Sequence, residues 1–403
     1  MPLVYLDNHS ATKLDMRVLE AMLPYFTEFY GNPLSFHPLG QKSEQARETA
    51  RQEVANLLSV QPDEVYFTSC GSEANNWAIK GIAWAYQHKG RHIVTSKIEH
   101  VSVLNTVKYL EQQGFEVTYL DVDQYGLVDP DDLEKALKDT TILISIQHAN
   151  PEIGTIQPIP ELVKVAKSHG ILFHTDAVAS CGIIPVDANK LGVDLLSLSA
   201  STMYGPKGIG ALFVKKGIKI TPLIHGGIQE HNKRAGTENI PGIVGFGKAC
   251  ALAKAEMSMR HNTLCRLRNK LIAEIPQIIE YVYLNGHPAN RLPNNINFSF
   301  EFVEGESITL LLAEKGIYVS SGSTCSSRAL KMSHVLEALR IDPAVAQGTI
   351  TMTLGIDLTD SDIAYVLEKL PPIIYHLREL SPLYDHFKKT GQRKIAGPRL
   401  RHE

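Results

Sequence analysis

Five stretches of the sequence carry residues that could do chemistry, and each also has a plainer reading. Cys70-Gly71-Ser72-Glu73 follows a β-rich run and opens a helical pattern. Backbone N–H groups and the Ser72 hydroxyl there can cradle a phosphate, or the Ser/Glu pair can simply cap a helix. Asp176 closes the run ILFHTD, where a carboxylate can pair with a protonated ring nitrogen or serve as a cap or turn residue. His100, after HIVTSKIE, can stack on an aromatic cofactor or act as a structural histidine. Gly205-Pro206-Lys207-Gly208-Ile209-Gly210 lacks the spacing of a nucleotide loop and precedes a strand, so it reads as a tight turn. Cys325 sits in a run of small residues, Ser320 to Ser327, which suits a thiol that must visit more than one site but also fits an incidental loop cysteine.

The elements that must position these residues alternate. Apolar runs at Val65–Ser69, His92–Ser96, Val117–Asp121, Ile142–His148, Ile171–Asp176, Leu195–Ser199 and Gly210–Val214 are interleaved with helical patterns such as Glu73–His88 and Ile159–His169. Continuously apolar strands separated by helices predict an α/β domain with a mostly parallel seven-stranded sheet covered on both faces. Ligands of such sheets lie beyond the carboxyl ends of the strands, where Ser72, His100 and Asp176 fall. A long charged helix over Ile243–Glu274 links this domain to a small α+β one, with a strand at Asn295–Phe300, a helix at Ser307–Lys315, a strand at Ile317–Ser320 and a late helix at Asp360–His376. The division expected is a large domain over 16–258 and a small one made of 1–15 and 259–403. The basic end, Lys388 to Glu403, reads as a mobile tail able to dock an acidic partner.

A net charge of -3 over 403 residues argues against a nucleic-acid partner. No apolar run reaches membrane-spanning length, and MPLVYLDNHSATKLD carries charges where a signal peptide is apolar. Cys70, Cys181, Cys250, Cys265 and Cys325 are odd in number and unclustered, so they read as reduced thiols with no metal site. A cytoplasmic protein is expected.

Ordered landmarks then give the chain a family resemblance. They are Tyr5-Leu6-Asp7-Asn8, Gly31-Asn32-Pro33, Thr68-Ser69 with Glu73, Glu99-His100, Glu152-Ile153-Gly154, His174-Thr175-Asp176-Ala177, Tyr204-Gly205-Pro206-Lys207-Gly208, Arg234-Ala235-Gly236-Thr237, Ser320 to Ser323 with Cys325, and Leu377 to Leu383. Together they resemble the cysteine desulfurases of the NifS/IscS type, class V aminotransferase relatives with the fold of type I pyridoxal phosphate (PLP) enzymes. The resemblance implies PLP held as a Schiff base on a lysine, with a loop cysteine attacking the substrate sulfur and keeping it as a persulfide. It implies His100 stacked on the ring, Asp176 at the ring nitrogen, Ser72 with Gly71 and Ser199 at the phosphate, and Cys325 as the persulfide thiol. Thr237 would reach in from the partner of a homodimer, and a sulfur-acceptor or iron–sulfur scaffold protein would be the outside partner.

The resemblance breaks within Ser199-Ala200-Ser201-Thr202-Met203-Tyr204, where the family pattern is Ser-x-His-Lys-x-Tyr. Thr202 stands at the lysine and Ser201 at the histidine. Ala179, Pro151 and Thr351 replace a glutamine, an asparagine and a carboxylate-binding arginine. A threonine hydroxyl forms no imine, and the missing lysine is also the usual proton-transfer base. The expectation is a degenerate desulfurase, a pseudoenzyme with a scaffold or partner role and PLP noncovalent or absent. The alternatives are an atypical desulfurase using noncovalent PLP, and a protein in which Cys325 alone accepts a persulfide or ligates a cluster.

Overall fold

The computed structural model describes residues 2–321 and 332–393. Thirteen strands occur among them: β1 (Val4–Tyr5), β2 (Val65–Thr68), β3 (His92–Ser96), β4 (Glu116–Leu120), β5 (Thr141–Ser145), β6 (Leu172–Asp176), β7 (Leu195–Ser199), β8 (Gly210–Val214), β9 (Val282–Leu284), β10 (Asn295–Phe300), β11 (Ile317–Tyr318), β12 (Ser320–Ser321) and β13 (Thr349–Thr353). Seven of them form the large sheet in the order β2-β8-β7-β6-β5-β3-β4. Only β8 runs against its neighbours, pairing antiparallel with both β2 and β7. Every residue of β2, β3, β5, β7 and β8 is buried, because helices cover both faces, whereas the edge strand β4 is largely open. One face packs on the core containing Val54, Phe67, Phe173 and Phe246, the other on that of Trp77, Ile79, Val107 and Leu143.

Two more sheets are small. β12-β13-β10-β9 is antiparallel, and β1 pairs parallel with β11. They build a second core with Val4, Leu6, Phe298, Ile350 and Ile374. The helix Ile240–Ile278 enters both cores. Its first half gives Ile243, Phe246 and Cys250 to the large one and its second half gives Leu264, Leu271 and Ile275 to the other. At 39 residues it is about 58 Å long, taking 1.5 Å per residue.

Two expectations need correction. Ile317–Ser320 is not one strand. The chain changes partners at Val319, so Ile317–Tyr318 joins β1 while Ser320–Ser321 joins β13. The helix before the basic end runs further than expected and takes in Lys388 and Lys389. The helix Pro382–Thr390, capped by Ser381, packs Tyr384 and Phe387 on Phe302. Residues 394–403 lie outside the described residues.

Candidate functional site

A cleft of ≈ 410 Å³ opens at the carboxyl ends of the large-sheet strands and is closed on the far side by Ser320, Ser321, Thr351 and Thr353 of the small domain's strands. Gly71, Ser72, His100, Asp176, Ser199 and Thr202 all line it, although they come from four separate stretches of chain. A second hollow of ≈ 400 Å³ lies against the helices Pro38–Leu58 and Ile240–Ile278, lined by small residues such as Ala46, Ala50 and Ala251 together with Lys42, Glu53 and Lys248. None of Ser72, His100, Asp176 and Ser199 lines it, so the cleft is the candidate site.

Each polar wall has a local cause. Asp176 ends β6 in the buried middle of the sheet. Its Oδ1 accepts from the Val178 N–H at 2.9 Å and its Oδ2 from Asn75 Nδ2 at 2.6 Å, so the turn-residue reading and an oriented carboxylate both hold. The helix Gly71–Tyr86 points its first turn at the cleft. A Cβ on Gly71 would sit 2.6 Å from Val178 Cγ2, so only glycine lets the helix start this close to the wall. The cap reading is also partly right. Glu73 accepts from the Ser69 N–H at 2.7 Å and pairs with Arg234 at 2.9 Å, outside the cleft lining. His100 is exposed and caps the helix Val101–Gln112, its Nδ1 accepting from the Ser102 N–H at 3.1 Å. That bond fixes the ring while leaving it at the cleft wall.

The segment where the resemblance breaks is tightly held. Ser199 Oγ and Ser201 Oγ are 3.0 Å apart. Thr202 Oγ1 donates to the Val178 carbonyl at 2.7 Å. Thr12 pins the turn from outside: its N–H and hydroxyl both donate to the Ser201 carbonyl at 3.0 Å, and its hydroxyl accepts from the Tyr204 N–H at 2.8 Å. The same Thr12 offers its carbonyl to Lys207 Nζ at 2.8 Å. Lys207 is therefore exposed, engaged elsewhere and absent from the cleft lining. Among the described residues no lysine or arginine lines the cleft. Ala179, Pro151 and Thr351 do line it, and the Thr351 hydroxyl accepts from Asn297 Nδ2 at 2.7 Å.

Thr237 is exposed and does not line its own chain's cleft. Cys325 lies outside the described residues. Cys70, at the helix start, lines the cleft, and Cys181 and Cys250 are buried, where desolvation pushes both thiols up.

Sequence reasoning had Glu99 and Glu152 only as family landmarks, without a role at the wall, and missed the amides Asn75, Gln147 and Asn294. Glu99 is buried, bonded by the Ser96 hydroxyl at 2.6 Å and the Gln147 N–H at 3.0 Å, and desolvation pushes its carboxyl up to about 8. Glu152 accepts from the Ser333 hydroxyl at 2.7 Å and is pushed up to about 7 by burial. Both follow apolar runs, which was the available signal. Asn75 lies one helical turn beyond Gly71, on the same face.

The groups present suit PLP. Asp176 offers a fixed buried carboxylate, the helix start at Gly71 and Ser72 offers free N–H groups, and Ser199 with Ser201 adds two hydroxyls beside it.

The aminotransferase class-V family matches residues 4–366. The chain is 53% identical to a cysteine desulfurase IscS of Methanosarcina thermophila over 380 residues, 94% of each chain. It is 54% identical to a cysteine desulfurase IscS of Dictyoglomus turgidum over 385 residues, 96% of this chain and 98% of that one. A solved NifS-like protein superposes with a TM-score of 0.88 at 40% identity, covering 93% of this chain and all of that one.

Proposed function

Because the chain belongs to the class V aminotransferase family, among relatives of the IscS/NifS cysteine desulfurase type, we propose that it is a sulfur-mobilisation protein without ordinary desulfurase turnover. Its role is that of a scaffold or partner. The family implies PLP, which when bound supplies an electron sink for amino acid chemistry. The observation that carries the proposal is the placement of Thr202 and Lys207. A hydroxyl spent on the Val178 carbonyl stands where the amine belongs, and the nearest lysine in sequence is tied to Thr12 outside the cleft.

The chain's own residues then bind rather than react. When PLP is bound, Asp176 would hold its charge at the ring nitrogen, Gly71, Ser72 and Ser199 would hold the phosphate, and His100 would cover the ring. Cys325 is the persulfide thiol of the second reading, an atypical desulfurase with noncovalent PLP, which the preserved arrangement of Asp176, Gly71 and Ser199 favours. A homodimer is part of the proposal. Support comes from Leu23, Phe26, Tyr30 and Phe36, a run of exposed apolar side chains near the N-terminus. In that dimer Thr237 would serve the partner's cleft. A sulfur acceptor or iron–sulfur scaffold is the proposed outside partner, and a cytoplasmic setting suits the unpaired cysteines. We take the domain boundaries as 16–258 against 1–15 with 259–403, supported by the two cores that share one helix. No helix among the described residues is long and apolar enough to cross a membrane.

The test is to add PLP, dialyse, and treat with borohydride before measuring intact mass. The cofactor should wash out and no lysine adduct should form. An adduct at full stoichiometry refutes the proposal. Sulfide release from cysteine that Cys325→Ala abolishes would establish the second reading instead.

A further inference from the structure

The cleft has a surplus of acceptors. Asn75, Gln147 and Asn294 line it at 1%, 1% and 8% exposure, and in each the side-chain oxygen has no hydrogen-bond partner. The orientation of two of the amides is fixed by their nitrogens. Asn75 Nδ2 donates to Asp176 and Gln147 Nε2 donates to the Ile98 carbonyl at 2.7 Å. Glu152 adds a fourth, since its Oε2 accepts from Ser333 while its buried Oε1 has no partner. Buried acceptors left unsatisfied are rare in folded proteins and mark a place where a donor belongs. Two further carboxyl groups, Glu99 and Asp176, share the wall.

The surrounding groups do not supply the donor. The nearest buried guanidinium, Arg291, spends its nitrogens on the Ile153, Asn295 and His287 carbonyls and on Asn295 Oδ1. The Thr351 hydroxyl is a neighbour of Glu152 through Asn297, whose Nδ2 reaches both the Glu152 carbonyl at 3.2 Å and Thr351 Oγ1 at 2.7 Å. The histidines of the wall are His9, His100 and His334, and His334 Nε2 is bonded to the Glu99 carbonyl at 2.9 Å.

We propose that the Glu152 end of the cleft binds an organic cation, a primary amine or guanidinium with no carboxylate, with Glu152 Oε1 as its principal acceptor. An ammonium brings three donors and a guanidinium five, and Glu152 Oε1 needs one of them. A ligand carboxylate there would face Glu152 with no fixed cation to offset it among the described lining residues. The inference deepens the reading of an altered desulfurase cleft and rests on it only for the cleft being the ligand site.

The experiment is calorimetric titration of the full-length protein, without added cofactor, using two pairs that differ only by a carboxylate: cysteamine against L-cysteine, and agmatine against L-arginine. The decarboxylated member of at least one pair should bind about tenfold or more tightly, the worth of one charge-assisted hydrogen bond. Glu152→Gln should bring that ratio to about twofold or less, since the amide keeps the shape and loses the charge. Thr351→Arg, which adds a fixed guanidinium to the cleft wall that Glu152 shares, should do the same and covers the case in which the first variant does not fold. Equal affinities, tighter binding of the amino acids, no binding of any probe, or a preference that survives in the folded variants overturns the proposal. Because the readout is binding, it is independent of the borohydride test, which reads only whether a lysine holds the cofactor.

Discussion

Replacing Thr202 by lysine tests most directly whether one side chain separates this chain from a covalent PLP protein. Thr202 Oγ1 donates to the Val178 carbonyl at 2.7 Å and lies 3.3 Å from the Ser199 carbonyl, so T202K removes one good hydrogen bond and one marginal one. Losing the first costs about 1 kcal/mol, and confining a lysine adds up to about 2 kcal/mol of side-chain entropy. With an unfolding entropy of about 2.1 cal/mol/K per residue, those losses lower Tm by roughly 1–4 °C in a chain of this length. The ≈ 410 Å³ cleft leaves room for the longer chain, so the turn held by Thr12 should keep its shape. T202K should retain PLP through dialysis and give one borohydride-trapped adduct per chain, read by intact mass. It should still turn over cysteine poorly, because Ala179, Ser201 and Thr351 remain at the same wall. A variant that melts within that range yet traps no cofactor would refute the reasoning that position 202 is the missing attachment point.

Three further outcomes follow from the same geometry. Lys207→Met should leave PLP affinity unchanged within about twofold, measured by fluorescence titration, since Nζ is bonded to Thr12 outside the cleft. Glu230→Gln should destabilise the fold by about 1–3 kcal/mol in denaturant melts, because it removes the buried charge that meets Arg51 with both oxygens at 2.8 Å and leaves the half-exposed Glu48, at 3.1 Å, as that guanidinium's remaining carboxylate. The pH dependence of stability has opposing parts. Glu99 and Glu152, raised by burial to about 8 and about 7, bind protons more tightly folded than unfolded, so their contribution falls as pH rises from about 4.5 to 8. His148 and His174, lowered by burial to about 4 and about 3, contribute stability above the unfolded histidine value of about 6.5 that is lost as pH falls below it. Above pH 6.5 only the acids act, so Tm should decline toward pH 8, and Glu99→Gln should flatten that decline.

The sequence made the large sheet readable because its strands are buried on both faces and therefore continuously apolar. β3, β7, β8 and β10 fall where the apolar runs place them, residue for residue. The run ending at His148 outlasts β5 because the chain leaves the ladder while still bonding β6, the His148 N–H reaching the Asp176 carbonyl at 2.8 Å. Local pattern carries no record of a change of partner, which is why Ile317–Ser320 read as one strand. The site divided in the same way. Gly71 and Asp176 stood out because one comes just after a strand and the other closes one, whereas Ser199 was named only through the family resemblance. The unsatisfied oxygens of Asn75, Gln147, Glu152 and Asn294 did not stand out, since whether an amide oxygen finds a donor depends on neighbours brought from distant parts of the chain. Thr202 was visible only against a family pattern, and the anchoring of Lys207 needed three dimensions.

The helix Ile240–Ile278 has a mechanical consequence for the cleft. One continuous rod roots both walls, so parting them means flexing its i to i−4 hydrogen-bond ladder, and its two prolines, Pro241 and Pro276, lie near its ends. Breathing of the site should therefore be shallow and stiff, and the two lobes should melt together as one cooperative unit.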